Sequence, residues 1–457
     1  MLNFYILTLL FLSFASYFFG KKTIQKKTTL NQVPQHSRDT YHGFYLALYL
    51  LIPSAILILI WVMISPNIIH SLLEQKIQNT ILLEDNSQVG VLRSQVISIS
   101  EGIINTDNQD ILSLVGYYND ISQLSVNLIL VVSSISSLFL FFYAYRKINI
   151  RFNARTKVEN IIKNTMIVAS LVAILTTIGI VLSLIIETIE FFKIIKVSDF
   201  LFGLQWSPQI ALREDQVANE GLFGAIPLFL GTILITVIAM CVAVPIGLLS
   251  AIYLSEYSNP RIRAIAKPML EILAGIPTVV YGFFAALTVA PFLRDNGATL
   301  GLSLSSESAL AAGIVMGIMI IPLISSLSDD VINSVPQSLR DGSYAIGATQ
   351  SETIKKVVIP AALPGIIGSI LLAVSRAIGE TMIVVMAAGL AANLTINPLD
   401  STTTITTQIV MILVGDQEFN SPKTQSAFAL GLTLFIATLI LNYIALRVVK
   451  KYREKYE

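Results

Sequence analysis

The stretch SDDVINSVPQSLRDGSYAIGATQSETIKKVVIPAALPG, residues 328–365, interrupts a chain that is otherwise largely apolar. It is too polar to cross a bilayer, and it reads as a short helix, a glycine turn at Gly347 and a second helix. Apolar runs of membrane length flank it, 308–328 before and 361–391 after. A polar hairpin between two spans suits docking. Its small residues let it lie in a groove of a partner, glycine permits a close turn, and Pro360 suits the start of the next span. The alternative is an ordinary amphipathic loop.

Composition agrees with a polytopic, all-α membrane protein. Of 457 residues 54% are hydrophobic and 13% charged, whereas globular chains carry about 25% charged residues. Mean hydropathy is +0.73. A net charge of +1 gives no electrostatic case for nucleic acid. The single cysteine, Cys241, cannot form an internal disulfide. His36, His42 and His70 all precede residue 71, so no zinc or haem constellation can be assembled, and no metal or cofactor is expected. There is no GxxxxGK[ST] loop for ATP and no catalytic constellation, so the chain reads as a non-enzyme.

A span needs about 20 apolar residues. Nine stretches qualify: 2–20, 43–65, 124–145, 165–187, 222–254, 265–291, 308–328, 361–391 and 425–449. The fifth, sixth and eighth are long, with Pro245, Pro277 and Pro364 as places for a kink. Lys and Arg concentrate in 21–42, 146–164, 255–264 and the tail after 449. The positive-inside rule then places the N-terminus outside and the C-terminus in the cytoplasm. The first span is followed by lysines and preceded by none, which favours a membrane anchor over a cleaved signal peptide. Residues 66–123 form a polar extracytoplasmic insert with seven Asp or Glu against Lys76 and Arg93. Its apolar spacing (Leu72, Leu73, Ile77, Ile81; Val96, Ile97, Ile103, Ile104) suggests one or two amphipathic helices. Such an acidic surface suits a spacer better than an anion-docking site.

The loop also carries a spacing. Asp341-Gly342-Ser343, three residues, Gly347, nine residues, then Val357-Val358-Ile359-Pro360 resembles the "EAA" loop of ABC importer permeases, with Asp for the usual Glu and Gly-Ser for Ala-Ala. Around it lie FLFGLQWSP (200–208), GAIPLFLGTILITVIAMCVAVPIGLLSAIYLSEY (224–257), EILAGIPTVVYGFFA (271–285) and SRAIGETM (375–382). Together these resemble the PstC-type permease of bacterial phosphate ABC importers, over roughly residues 160–450, with GIPTVVYG and RAIGETM as the most specific stretches. The resemblance implies a type I ABC importer (MetI-like) permease core of about six spans, residues 165–457, with a coupling loop at 329–360. It leaves 146–164 as a basic cytoplasmic linker and 1–145 as an N-terminal extension of about three spans that carries the 66–123 insert. It further implies a PstA-like companion permease, a PstB-like ATPase dimer docked at Asp341, Gly342, Ser343, Gly347 and Pro360, and a PstS-like periplasmic phosphate-binding protein. The implied function is ATP-driven import of inorganic phosphate across the bacterial inner membrane by alternating access.

Arg376 and Glu380 stand within the eighth apolar run, Arg376 about 22 Å along a helix from residue 361. Four residues apart on a helix, they would share a face and pair. Arginine at a helix centre costs about 2.5–3.5 kcal/mol to insert, so such residues face a bundle interior or an aqueous path. The resemblance places the pair in the translocation path, where Arg376 would offer phosphate a planar donor fork, or the pair would gate the path. A structural salt bridge is the plainer alternative. Gly275 and Pro277 mark an expected helix break near the path, able to turn helix-end amides toward an anion. Glu271 is expected to snorkel or pair with Arg263 or Lys267, and Asp329 and Asp330 to be solvated. Thr232, Thr236, Thr278, Ser325 and Ser326 read as packing residues first and path-lining residues second. Two other functions remain open on residues alone: a permease for another oxyanion, or an ion-coupled secondary transporter. The latter leaves the 329–360 loop without a use.

Overall fold

The structure, a computed structural model, describes residues 2–453 apart from 32–35, 82–85, 105, 107, 209–220, 300, 302–304 and 415–420. The described residues fold into two compact units, 1–174 and 175–457. Among the described residues eight helices are long and apolar enough to cross a membrane, and a ninth span results when one sharply bent pair is counted as one.

In the first unit, α1 (Leu2–Asn31), α2 (Asp39–Ile81) and α4 (Gln109–Lys147) pack along their lengths. The α1–α2 crossing is made by Gly20 and Gly43: a Cβ on Gly43 would lie 2.6 Å from the Tyr17 carbonyl oxygen. Forty-three residues make α2 about 65 Å long, twice the hydrocarbon thickness of a bilayer. Its far end joins α3 (Asn86–Ser100) and the start of α4 around a small core of Leu73, Ile77, Val89, Val96 and Leu114. The polar insert is therefore a continuation of the spans. At the other end Ile24, Tyr45, Leu46, Ala144, Ile148 and Val158 close a second core. Helix α5 (Ala154–Ile194) leads from this unit into the next.

The second unit opens with α6 (Val197–Phe202) and the two-stranded pair β1 (Trp206–Ser207) and β2 (Leu222–Phe223). Its centre is a pair of helices, α7 (Ile226–Ile252, prolonged by a π-helical turn to Tyr257) and, later in the chain, α11 (Ala309–Ser334). Between them lie α8 (Pro260–Ala274), α9 (Thr278–Phe284, prolonged to Val289) and α10 (Ala290–Thr299). After α11 come α12 (Gln337–Ala345), α13 (Gln350–Thr353, prolonged to Val358), α14 (Ile359–Ile378), α15 (Met382–Ala387), α16 (Ile405–Leu413) and α17 (Pro422–Arg453).

Small residues set how closely α7 and α11 approach. A Cβ on Gly317 would come within 2.8 Å of the Ala239 carbonyl oxygen, and Gly247 and Gly313 fit against Ile324 and Ile238. Lipid offers no hydrophobic drive between helices, so this close packing does the work. Helix α14 joins α11 where Gly365 meets Val331 and Ser328 bonds Ser369 at 3.0 Å. Helix α17 joins α14 where the Ser375 hydroxyl donates to Asn442 at 3.0 Å.

Two of the expected spans are interrupted, the sixth at the break expected from Gly275 and Pro277. Between α8 and the α9–α10 run the chain bends by 87°. The bend falls at Gly275-Ile276-Pro277, and the Tyr281 hydroxyl ties it by donating to the Leu273 carbonyl at 2.9 Å. In the eighth span Pro364 lies inside continuous helix; α14 ends instead at Gly379. Between the eighth and ninth apolar runs lies a further helix, α16, with Ile405, Thr407, Gln408 and Ile412 buried.

Candidate functional site

The helix end at Gly379 separates the two charges expected to pair. Arg376 sits in the last turn of α14, where the helix dipole favours a cation. It is exposed on the α14 face shared with Leu372, and among the described residues it has no hydrogen bond or ion pair. Glu380 lies beyond the helix and is 8% exposed. Its carboxylate accepts from the Met382 backbone N–H at 3.1 Å, capping the start of α15, and its own carbonyl accepts from the Thr406 hydroxyl at 3.0 Å. The expected same-face pair is thus corrected. The i,i+4 geometry needs continuous helix, and the helix stops between the two residues.

The segment packed on this break was missed by sequence reasoning. Residues 401–408, STTTITTQ, bury Thr402, Thr403, Thr404, Thr407 and Gln408. The Thr404 hydroxyl caps α16 by accepting from the Thr407 N–H, and the Thr232 hydroxyl on α7 accepts from the Ile405 N–H at 3.2 Å. Gly231 permits the contact, because a Cβ there would sit 2.1 Å from the Thr403 carbonyl oxygen. The Gln408 side chain donates to the Leu390 carbonyl at 2.7 Å and accepts from the Trp206 indole at 3.1 Å. Buried backbone outside regular helix needs partners for its polar groups inside the protein. These side chains supply some of them. The available signal was a threonine-rich run with no charge and apolar residues at Ile405, Ile409 and Ile412.

The bend and the break are brought together. A Cβ on Gly282 would meet the Met386 sulfur at 2.7 Å and the Met382 carbonyl oxygen at 3.1 Å. GIPTVVYG and RAIGETM are therefore neighbours, with Gly275 and Pro277 at the far end of α9. Of the other polar candidates, Thr232 and Ser325 are buried, Thr278 and Ser326 are half-buried, and Thr236 borders a groove of about 530 Å³ with Cys241, Pro245 and Val374.

At the C-terminal end of α11 the expectation that Asp329 is solvated is corrected. Asp329 is 2% exposed. It accepts from Arg263 through both oxygens (2.9 and 3.0 Å), from Lys267 at 2.9 Å and from the Asn333 amide at 2.9 Å. Lys267 also reaches the exposed Asp330 at 2.9 Å. The cations proposed for Glu271 are thus taken by α11, and Glu271 is exposed. The sequence could not show that α8 folds back along α11, because that contact depends on the 87° bend.

The polar loop forms a compact hairpin of α12 and α13. Gly347 makes the turn at φ 87°, a conformation glycine tolerates best. Ser343 and Thr353 share a buried hydrogen bond of 2.9 Å, and Thr349 and Glu352 form a capping box. Asp341, Gly342 and Gly347 are exposed, Ser343 is buried and Pro360 is half-buried in the first turn of α14. Beside them Leu339, Tyr344 and Ile346, the last 86% exposed, present apolar surface outward.

Residues 243–454 match the family model described as binding-protein-dependent transport system inner membrane component. Residues 6–176 match one described as phosphate ATP-binding cassette transporter. A probable ABC transporter permease protein, YqgH of Bacillus subtilis, is 33% identical over 63% of this chain and 91% of its own length. The phosphate transport system permease protein PstC of Haemophilus influenzae is 30% identical over 66% of this chain and 96% of its own. The chain belongs to the PstC-type permease family. The PstC of Mesorhizobium japonicum adds 34% identity over 49% of this chain and 72% of that protein. As a PstC-type permease with several membrane-length helices, the chain is a multi-pass inner-membrane protein of an ABC transporter. Its N-terminal third, left outside the resemblance by sequence, has its own match among phosphate transporters.

Proposed function

We propose that this PstC-type permease carries inorganic phosphate through the cytoplasmic membrane by alternating access, as one half of a heterodimer. Arg376 is the observation that carries the reading. A guanidinium at a helix break, exposed and without a partner among the described residues, is too costly to leave against lipid. It therefore faces a path shared with a PstA-like companion permease. Its planar fork suits phosphate oxygens through short, charge-assisted bonds. Glu380 belongs to the same path as the residue that holds the break, its carboxylate engaged by backbone and kept from neutralising Arg376.

Residues 165–457 would be the transport core, 1–145 an extension and 146–164 a basic cytoplasmic linker. The 329–360 hairpin would lie in the cytoplasm with the C-terminus, and the N-terminus outside. The exposed Leu339, Tyr344 and Ile346 beside Asp341 and Gly342 fit a groove on a PstB-like ATPase dimer, which hydrolyses the ATP. A PstS-like binding protein would deliver phosphate from the other side.

The test is uptake in proteoliposomes holding the whole complex. Arg376→Gln should abolish phosphate uptake with the complex still assembled; failure to assemble would return Arg376 to a packing role. Arg376→Lys keeps the charge and removes the fork, so full uptake in that variant would rule out forked recognition. Competition by sulfate, molybdate and phosphonate assigns the cargo among oxyanions.

A further inference from the structure

The hairpin is fastened to the rest of the fold at a point the transport reading does not use. Arg340 on α12 is buried and Glu256 in the π-helical turn ending α7 is half-buried, each side chain 9% exposed, and their charges meet at 2.8 Å. Arg340 also donates to two carbonyls at the C-terminal end of α11, Ile332 at 2.9 Å and Val335 at 2.5 Å. From the second arm of the hairpin, the Gln350 amide donates to the Glu256 carbonyl at 2.7 Å. Both arms of the hairpin and the ends of α7 and α11 thus converge on Glu256 and Arg340.

We propose that the Glu256–Arg340 pair is the mechanical link between the coupling hairpin and α7, and that it makes α7 the rod carrying hairpin displacement to the helix break. This rests on the transport reading above. A buried ion pair is weak evidence of stability, since its desolvation offsets its attraction, and fixing one arrangement is a better-attested use. Here it fixes the hairpin in register with a particular helix end. The hairpin is internally tied by Ser343–Thr353 and the Thr349–Glu352 capping box, so it moves as one piece. Helix α7 runs without a break from its π-helical end to Thr232, about 36 Å away along the axis. At that end Thr232 holds the Ile405 N–H, Gly231 seats the Thr403 carbonyl, and Thr406 holds the Glu380 carbonyl beside Arg376. The link is contiguous from the docking surface to the break, through contacts too close to deform gradually.

Arg340 and Glu256 act as positioning residues, so the readout must separate coupling from folding. In proteoliposomes containing the full complex, phosphate moved per ATP hydrolysed is measured for Glu256→Gln, Glu256→Ala, Arg340→Gln and Arg340→Lys. Subunit stoichiometry is checked by size exclusion. Arg340→Gln and Glu256→Ala are expected to lower the ratio about tenfold in complexes of normal stoichiometry. The conservative Glu256→Gln and Arg340→Lys should fall by about threefold or less. A ratio unchanged in every assembled variant overturns the proposal. So does loss of assembly in all four variants, which would make the pair a folding element. If the wild-type complex moves no phosphate, the cargo assignment fails instead. The link is then judged by ATP hydrolysis stimulated by the cognate binding protein, which should fall in the same order of variants; equal stimulation in all of them refutes it.

Discussion

Replacing Gly231 by alanine tests whether the threonine-rich segment truly rests on α7. The added methyl carbon would lie 2.1 Å from the Thr403 carbonyl oxygen and 2.7 Å from the Thr402 hydroxyl, where ordinary contact begins at 3.4 Å. The carbonyl must therefore retreat by 3.4 − 2.1 = 1.3 Å, and being backbone it cannot swing aside. Bonds on either side are already at 3.0–3.2 Å: Thr402 N–H to the Ala388 carbonyl, Ile405 N–H to Thr232, and the Thr406 hydroxyl to the Glu380 carbonyl. Overpacking of this kind costs about 1–3 kcal/mol, and each hydrogen bond lost adds about 1 kcal/mol. At about 2–4 °C per kcal/mol, the Tm of the purified complex should fall by about 5–10 °C. Uptake should fall with it, since the break around Glu380 loses its support. Gly179→Ala on α5 is the control, because no atom lies within 4 Å of its added carbon. Thermal unfolding followed by size-exclusion fluorescence gives the comparison. A Gly231→Ala complex with unchanged Tm and full uptake would refute the packing of residues 401–406 against α7.

Two further outcomes are expected. Asp329→Asn removes the charge that Arg263 and Lys267 share and should cost about 1.5–3 kcal/mol, whereas Asp330→Asn, an exposed pair, should cost less than about 1 kcal/mol. Equal losses of thermal stability in the two variants would contradict the burial of Asp329. Ile346→Asp places a charge on a residue 86% exposed in this chain, so its stability should not change. The ATPase subunit should nevertheless fail to co-purify, and normal co-purification would place the docking surface elsewhere.

What the sequence disclosed was periodic or charged. Spans declared themselves by length and apolarity, and the hairpin by polarity between two spans. Arg376 was legible because a charge in an apolar run demands a reason. The contacts that set the site depend on breaks whose consequences a one-dimensional pattern hides. Helical spacing joins Arg376 to Glu380, yet ending α14 at Gly379 turns Glu380 away to cap α15. The same holds for Asp329, which looked solvated at the end of a span. Only the 87° bend after Ala274 shows how α8 can bring Arg263 and Lys267 against it. Glu256 and Arg340 lie 84 residues apart in regions that each read as polar surface, and no local signal pairs them.

The threonines of STTTITTQ and Arg376 answer the same energetic demand in different ways. Between the end of α14 at Gly379 and the start of α16 at Ile405 the helical part is α15, and the other buried backbone has carbonyl and amide groups that need partners inside the protein. Threonine and glutamine meet that need without charge: Thr406 reaches the Glu380 carbonyl, Gln408 the Leu390 carbonyl, and Thr404 the Thr407 amide. Their bonding capacity is largely spent on the fold, which makes them poor first candidates for holding an anion. Glu380 is likewise engaged through both its carboxylate and its carbonyl. Arg376 differs, because its guanidinium makes no bond within the described residues. A donor with no partner among the described residues is available to something outside the subunit, and an arginine fork suits an oxyanion or a carboxylate. Under the proposed transport function, phosphate and an acid of the companion permease would compete for this one group, and that competition would be a physical basis for a gate.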